Sequence, residues 1–225
     1  MISFKYRQFQ KAVILQCVRW YCAYSLSTRN LEEMMQERGI FVDHTIIHRW
    51  VVHYASKLEP AFRKNRKRVN SRWHLDETYI KVKGVWKTFY RAVDSEGNTL
   101  DFLLTAKRDK KAALRFLKKA IKNNGSPSRI TIDKSGSNTA AIKAINDEQD
   151  EVIEIRRNKY KNNIVEQDHR RIKRIVRPMM GFKNFHCTQK TLAGIEFMAM
   201  LKKGQTTEQF ASNLSPAEQF YALAA

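Results

Sequence analysis

Apolar residues recur along this chain at two spacings, and the change from one to the other divides it. Residues 8–24 are rich in apolar positions and read as a helix that ends at Ser25–Ser27. "STRNLEEMMQERG" reads as a second helix, with Ser27 or Thr28 as its cap and Gly39 just past its end. After "GIFV", Asp43 caps a third helix, in which Ile47, Trp50, Val51 and Tyr54 recur at helical spacing on one face. Residues 60–70, "PAFRKNRKRVN", read as a basic linker. Beyond it the spacing shortens to that of strands. "SRWHLDETYIKV", "VWKTFYRAV" and "TLDFLLTA" are three strands joined by turns at Lys83-Gly84 and "DSEGN". "DKKAALRFLKKAIKNN" is an amphipathic helix with Ala113, Phe116, Leu117, Ala120 and Ile121 on its apolar face. "RITI" is a short buried strand, a helix follows near 137–146, "VIEI" is a fifth strand, and "NNIVEQDHRRIKRIV" is a helix that stops before Pro178. One short final helix is predicted in "SNLSPAEQFYALAA".

The order is three strands, helix, strand, helix, strand, helix. Meander strands followed by crossover helices give a mixed α/β sheet with helices packed on it. That order is the one found in ribonuclease-H-like folds. The chain therefore divides into an all-α part with a basic linker over 1–65, a ribonuclease-H-like domain over 66–205 and a tail over 206–225.

In the first part, two helices joined by a short Gly-containing turn match a helix-turn-helix, whose second helix enters the major groove of DNA. His44, Thr45, His48 and Arg49 lie off the apolar face of that helix and are its candidate DNA contacts. A plain three-helix bundle fits the same pattern. His44 and His48 stand four apart, but no Glu follows His44, so the zinc-protease motif is absent.

Charge sharpens this picture. The 225 residues carry a formal net charge of +20. Basic runs at 63–68, 107–111, 156–161 and 170–177 favour a polyanionic partner, because each Lys or Arg laid on a phosphate releases counterions. No apolar run reaches the length of a membrane span, and the first residues lack the apolar centre of a secretory signal. Cys17, Cys22 and Cys187 fit no zinc module and read as reduced thiols of a cytoplasmic protein.

Three carboxylates fall at telling places. Asp76 lies within the first strand, Asp133 ends the fourth, and Glu166 sits in the first turn of the late helix. In a ribonuclease-H-like sheet the first and fourth strands are neighbours and the helix crosses near their ends. Three carboxylates brought together repel one another, and divalent cations relieve that repulsion. Two Mg²⁺ ions roughly 4 Å apart suit phosphoryl transfer, and Mg²⁺ takes a few carboxylates together with waters and phosphate oxygens. Each residue also has an ordinary reading. Asp76 and Glu77 could face solvent near a sheet edge, Asp133 opens a turn, and Glu166 could form a capping box with Asn163.

"WHLDETYIKVKG", "YRAVDSEGNTLDFLL", "TIDKSGSN" and "NNIVEQDHRRIKRI" resemble bacterial insertion-sequence transposases of the DDE type, in the insertion-sequence-six group. The resemblance covers nearly the whole chain. It implies Asp76, Asp133 and Glu166 as catalytic metal ligands, with Mn²⁺ as a substitute for Mg²⁺. It also implies that Lys173, seven residues and two helical turns beyond Glu166, holds DNA backbone. The spacing from Asp133 to Glu166 is slightly short for the group, and "KRDKK" stands where a basic pair such as Arg-Arg is frequent. The implied activity is binding of terminal inverted repeats, 3′-end cleavage and transfer of that end to target DNA by at least a dimer. A helix-turn-helix regulator without catalysis, and a ribonuclease-H-like nuclease that cuts without joining, are the rival readings.

Overall fold

The computed structural model describes residue 4 and residues 8–133, 135–149, 151–158, 163–211 and 213–224. It divides into two compact units, Met1–Lys67 with Ile172–Ala225, and Arg68–Arg171.

The first unit is all helical. It contains α1 (Lys11–Ala23), α2 (Thr28–Gln36) and α3 (His44–Lys64). Ser27 caps α2 in a capping box closed by Asn30, and Asp43 caps α3 by accepting from the Thr45 backbone N–H at 2.7 Å. Gly39 has φ of +70°, the conformation that ends the turn between them. α3 does not stop at the predicted linker but runs through Pro60 to Lys64. Leu58 and Phe62, on either side of Pro60, are fully buried. That burial outweighs the one backbone hydrogen bond that proline forfeits.

The chain returns to this unit late. The sequence reading assigned 66–205 to one domain, yet α7 (Phe185–Lys202) packs against α1 and α3, and α9 (Pro216–Leu223) packs against α7. Phe62, Phe197 and Phe220 form a chain of ring contacts at 5.5 and 5.9 Å. A Cβ at Gly194 would come within 2.6 Å of Ala55 Cβ and 2.7 Å of Cys22 Sγ, so only glycine lets α7 approach this closely. Cys17 and Cys22 are buried here, and burial pushes both thiols up to about 12. The tail is part of this unit as well, with Thr206 bridged to Arg66.

The second unit is the mixed sheet. Its strands are β1 (Arg72–Val82), β2 (Val85–Asp94), β3 (Thr99–Thr105), β4 (Arg129–Ile132) and β5 (Glu154–Arg157), in spatial order β3-β2-β1-β4-β5. β1, β2 and β3 pair antiparallel, and β4 and β5 join in parallel, which is the ribonuclease-H-like topology. β5 begins two residues later than predicted, because Ile153 is spent in the core before pairing starts. One face of the sheet carries Trp73, Leu75, Tyr90, Ala92, Ile130 and Ile132 into a core with α4 (Lys110–Asn124) and α5 (Gly136–Asn146). α6 (Asn163–Val176) crosses the division between the two units. The short helix α8 (Glu208–Ala211) precedes α9.

Candidate active site

Strand register brings two of the three carboxylates together. β1 and β4 pair as Trp73 with Ile130 and His74 with Thr131. Carried two residues further, the same register sets Asp133 opposite Asp76. Trp73 and Leu75 enter the α4–α5 core, so alternation turns Asp76 to the other face of the sheet. The two carboxylates act on each other. Burial pushes Asp76 up to about 7, the charges of Glu77 and Asp133 push the same way, and the Glu77 backbone N–H and Arg108 oppose them. A carboxylate held against such pressure is a natural cation ligand.

α6 reaches that face through its side chains. His169 Nδ1 lies 3.6 Å from Asp76 Oδ2. Glu166 stands three residues earlier, on the same stripe of the helix one turn away. It is exposed, and its Oε1 lies 3.1 Å from Arg170 Nη2. The capping alternative pairs Glu166 with Asn163, which is the first residue of α6; the residue before it lies outside the described residues. Among the described residues, the three-member group whose ligand atoms come within 4.8 Å of one another is Glu32, Asp43 and His44, not Asp76, Asp133 and Glu166. In this structure Glu166 pairs with Arg170 rather than with the aspartates. That surface pair costs only a few tenths of a kcal/mol to break.

A buried charge cluster, which the sequence reading missed, seats the helix. Arg91 is the cross-strand partner of Asp76 and is completely buried. Its Nη1 lies 3.1 Å from Asp168 Oδ2, and Arg171 Nη2 lies 3.1 Å from Asp168 Oδ1. Burial lowers the Arg91 guanidinium below its ordinary value, and Asp168 opposes that shift. Asp168→Ala is expected to cost about 3–5 kcal/mol in denaturant unfolding, because it strips the carboxylate from a buried cation. Arg91→Met with Asp168→Leu should recover most of that loss without recovering DNA cleavage. A cost below about 1 kcal/mol for Asp168→Ala would show that the pair does not seat α6.

Glu77 faces the opposite side of β1 and has partners of its own. It is bonded to Arg108, and Asn138 Nδ2 donates to its Oε2 at 2.9 Å. Only 2% of its side chain is exposed. Burial lowers Arg108, but the Glu77 carboxylate raises it and wins. Asn138 lies on α5, five residues past Asp133, so Glu77 ties β1 to the turn that carries the second aspartate.

The remaining expected contacts lie in the helical unit. His44 Nδ1 is 3.1 Å from Glu32 Oε2, and the Thr45 hydroxyl is bonded to the capping Asp43. Both bonds lie at the start of α3. His48 and Arg49 are exposed, as is Lys173 on α6.

A family profile described as a DDE domain matches residues 70–205. The chain is 40% identical over 214 residues to the transposase for insertion sequence-like element IS431mec of Staphylococcus aureus strain Mu50, covering 93% of each chain. It has the same identity and coverage with the transposase for insertion sequence element IS257 in transposon Tn4003 of Staphylococcus aureus. The chain belongs to the DDE transposases, in the insertion-sequence-six group. Solved structures similar to this transposase include the HTLV-2 integrase catalytic core domain in complex with magnesium, at 15% identity and a TM-score of 0.41, over 69% of this chain and 83% of that one. The catalytic core domain of BIV integrase gives 14% identity and a TM-score of 0.43, over 68% of this chain and 95% of that one. The profile match extends past Arg171, so the family's DDE region in this transposase spans the division between its two compact units. Among the described residues, no helix is long and apolar enough to cross a membrane.

Proposed function

We propose that this transposase cuts the 3′ ends of its insertion sequence and joins them to target DNA, with Asp76, Asp133 and Glu166 as the divalent-metal ligands. The observation that supports this reading is the β1–β4 register, which extended two residues beyond His74 and Thr131 would set Asp133 opposite Asp76, near which His169 of α6 lies at 3.6 Å. The donor set fits a hard cation: carboxylate oxygens, one of them pushed up to about 7 by burial and neighbouring negative charge. Asp76, Asp133 and Glu166 would hold two Mg²⁺ ions, or Mn²⁺ in their place. Such ions activate the attacking oxygen and stabilise the leaving one.

The chain's own residues supply the frame. Arg91 and Asp168 seat α6, Glu77 ties the Asp133 turn to β1, and Lys173 holds the DNA backbone on the basic face of α6. In the first step a water oxygen attacks the phosphorus at the element's end, the P–O3′ bond breaks and a 3′-hydroxyl is freed. In the second step that hydroxyl oxygen attacks a target phosphorus and displaces its 3′ oxygen. Neither step requires a covalent enzyme intermediate. Two ends must be held at once, which calls for a dimer or higher assembly acting on cytoplasmic DNA.

The test is a duplex carrying the element's end, incubated with full-length protein with and without Mg²⁺. Nicked and joined products, both dependent on Mg²⁺, are expected. Nicking without joining would leave a nuclease, and binding without nicking a regulator.

Two further outcomes follow from the DNA contacts. Arg49→Ala is expected to cost about 1–3 kcal/mol in binding to the terminal repeats and little on unrelated duplex, if Arg49 reads a base edge. Footprinting of the full chain on both duplexes checks it, and equal protection of both would remove sequence reading from α3. Lys173→Ala is expected to impair cleavage while metal affinity, measured calorimetrically, stays near that of the parent protein. Full cleavage at physiological salt would return Lys173 to an ordinary solvated position.

A further inference from the structure

The β1–β2 hairpin runs beyond the rest of its sheet. β1 and β2 pair from Trp73–Asp94 out to Val82–Val85. β4 accompanies β1 only over Arg72–His74, and β3 accompanies β2 only from Thr88 onward. Tyr79–Val82 and Val85–Lys87 thus form a two-stranded arm. Its closing turn holds Lys83 and Gly84, both at positive φ. The two faces of the arm differ sharply. Thr78, Ile80 and Val82 are buried. On the other face, Trp86 is 62% exposed and Tyr79 46% exposed. Lys81 stands directly across from Trp86, with its Nζ 5.8 Å from the ring centroid.

This exposed face is the one that carries Glu77, on the opposite side of the sheet from Asp76. Tyr79 lies two residues from Glu77 on the same side of β1, and its phenol acts electrostatically on Arg108, the partner of Glu77. Trp86, Lys81, Tyr79 and Arg108 therefore form a strip in which aromatic and cationic side chains alternate. Tryptophan is among the side chains with most to gain from burial, and here one stands in water beside a lysine.

Aromatic faces flanked by lysines fit one class of partner well. Bases stack on the rings while phosphates meet the ammonium groups. A paired base offers no free face, so the partner is a strand whose bases are unpaired. We propose that the exposed face of the β1–β2 arm is a stacking platform for unpaired DNA bases, with Trp86 and Tyr79 taking the bases and Lys81 and Lys83 the phosphates. The inference rests on the reading of this chain as a transposase that acts on DNA.

The test uses the full chain without divalent metal, so its outcome does not depend on catalysis. Binding of a fluorescent oligo(dT) and of an unrelated duplex of equal length is followed by anisotropy. Trp86→Ala is expected to weaken oligo(dT) binding about 5- to 100-fold and duplex binding less than about twofold. Tyr79→Ala should act in the same direction, and Trp86→Phe should restore most of the loss. Both side chains are exposed, so thermal melting should hardly move. Unchanged oligo(dT) affinity, or an equal loss on both DNAs, would overturn the proposal. So would a change in solution mass on Trp86→Ala, which would make a second copy of the chain the partner. Asp76→Asn separates this proposal from the proposed cleavage chemistry. That variant should keep full oligo(dT) affinity, whereas full cleavage by it would displace the site and leave the stacking result standing.

Discussion

Glu166→Gln is expected to abolish metal-dependent end cleavage, by a factor on the order of a thousand or more, while leaving folding stability within about 0.5 kcal/mol of the parent protein. The side chain is 55% exposed, and its ion-pair partner is Arg170, one turn along the same helix. Gln has the same shape, still accepts a hydrogen bond from Arg170 and gives up only a surface ion pair. If Glu166 served the helix alone, the substitution would pass unnoticed. As a metal ligand it has to offer an anionic oxygen, which an amide cannot supply to a hard cation. Thermal melting beside cleavage of an end-containing duplex separates the two roles. Normal cleavage by Glu166→Gln would take Glu166 out of the site, and most of the proposed chemistry with it.

Asp76→Asn is expected to do two things at once: abolish cleavage and stabilise the metal-free protein at neutral to alkaline pH. In the folded state Asp76 is pushed up to about 7, chiefly by burial, from the ordinary value near 3.8. Between those values the native state holds a proton that the unfolded chain has lost. Stability arising from this group therefore falls as pH rises from about 4 to about 7, and above 7 the full penalty is present. A rise of that size corresponds to a penalty on the order of 4 kcal/mol. Asparagine is neutral throughout, so most of that penalty disappears. The expected measurement is a melting temperature for Asp76→Asn above that of the parent at pH 8 without metal, with the gap closing toward pH 4. Added Mg²⁺ should raise the parent and not the variant. A variant that melts lower than the parent at pH 8, or that still cleaves, would contradict the assignment.

The sequence was most legible where structure is made locally. The caps at Ser27 and Asp43 and the turn at Lys83-Gly84 each depend on residues within a few positions of one another. The sheet was legible because its strands are bounded by strong turn signals. What escaped was assembled from distant parts. Asp168 sits in "DHRR", which reads as a solvated basic run, and nothing local reveals that Arg91 is buried opposite it. Glu77 looks like a neighbour of Asp76, yet alternation sends it to the far face, to partners at positions 108 and 138. α7 escaped for the opposite reason. From Thr191 to Leu201 it is buried on every side, so that stretch shows no amphipathic stripe. Of the four DNA contacts expected on α3, His44 and Thr45 also bond to Glu32 and Asp43 at the helix start. Residue type alone does not distinguish a cap from a contact.

The helical unit is woven from the two ends of the chain, and this sets an order of events during synthesis. α1, α2 and α3 emerge first from the ribosome, but α7 and α9, against which they pack, are made last. Until then Leu58, Phe62 and the notch that receives Gly194 have no wall to close on. A nascent chain therefore carries the catalytic sheet before it carries a finished helical head. A product truncated after Arg171 would lack the helices against which its first three helices pack.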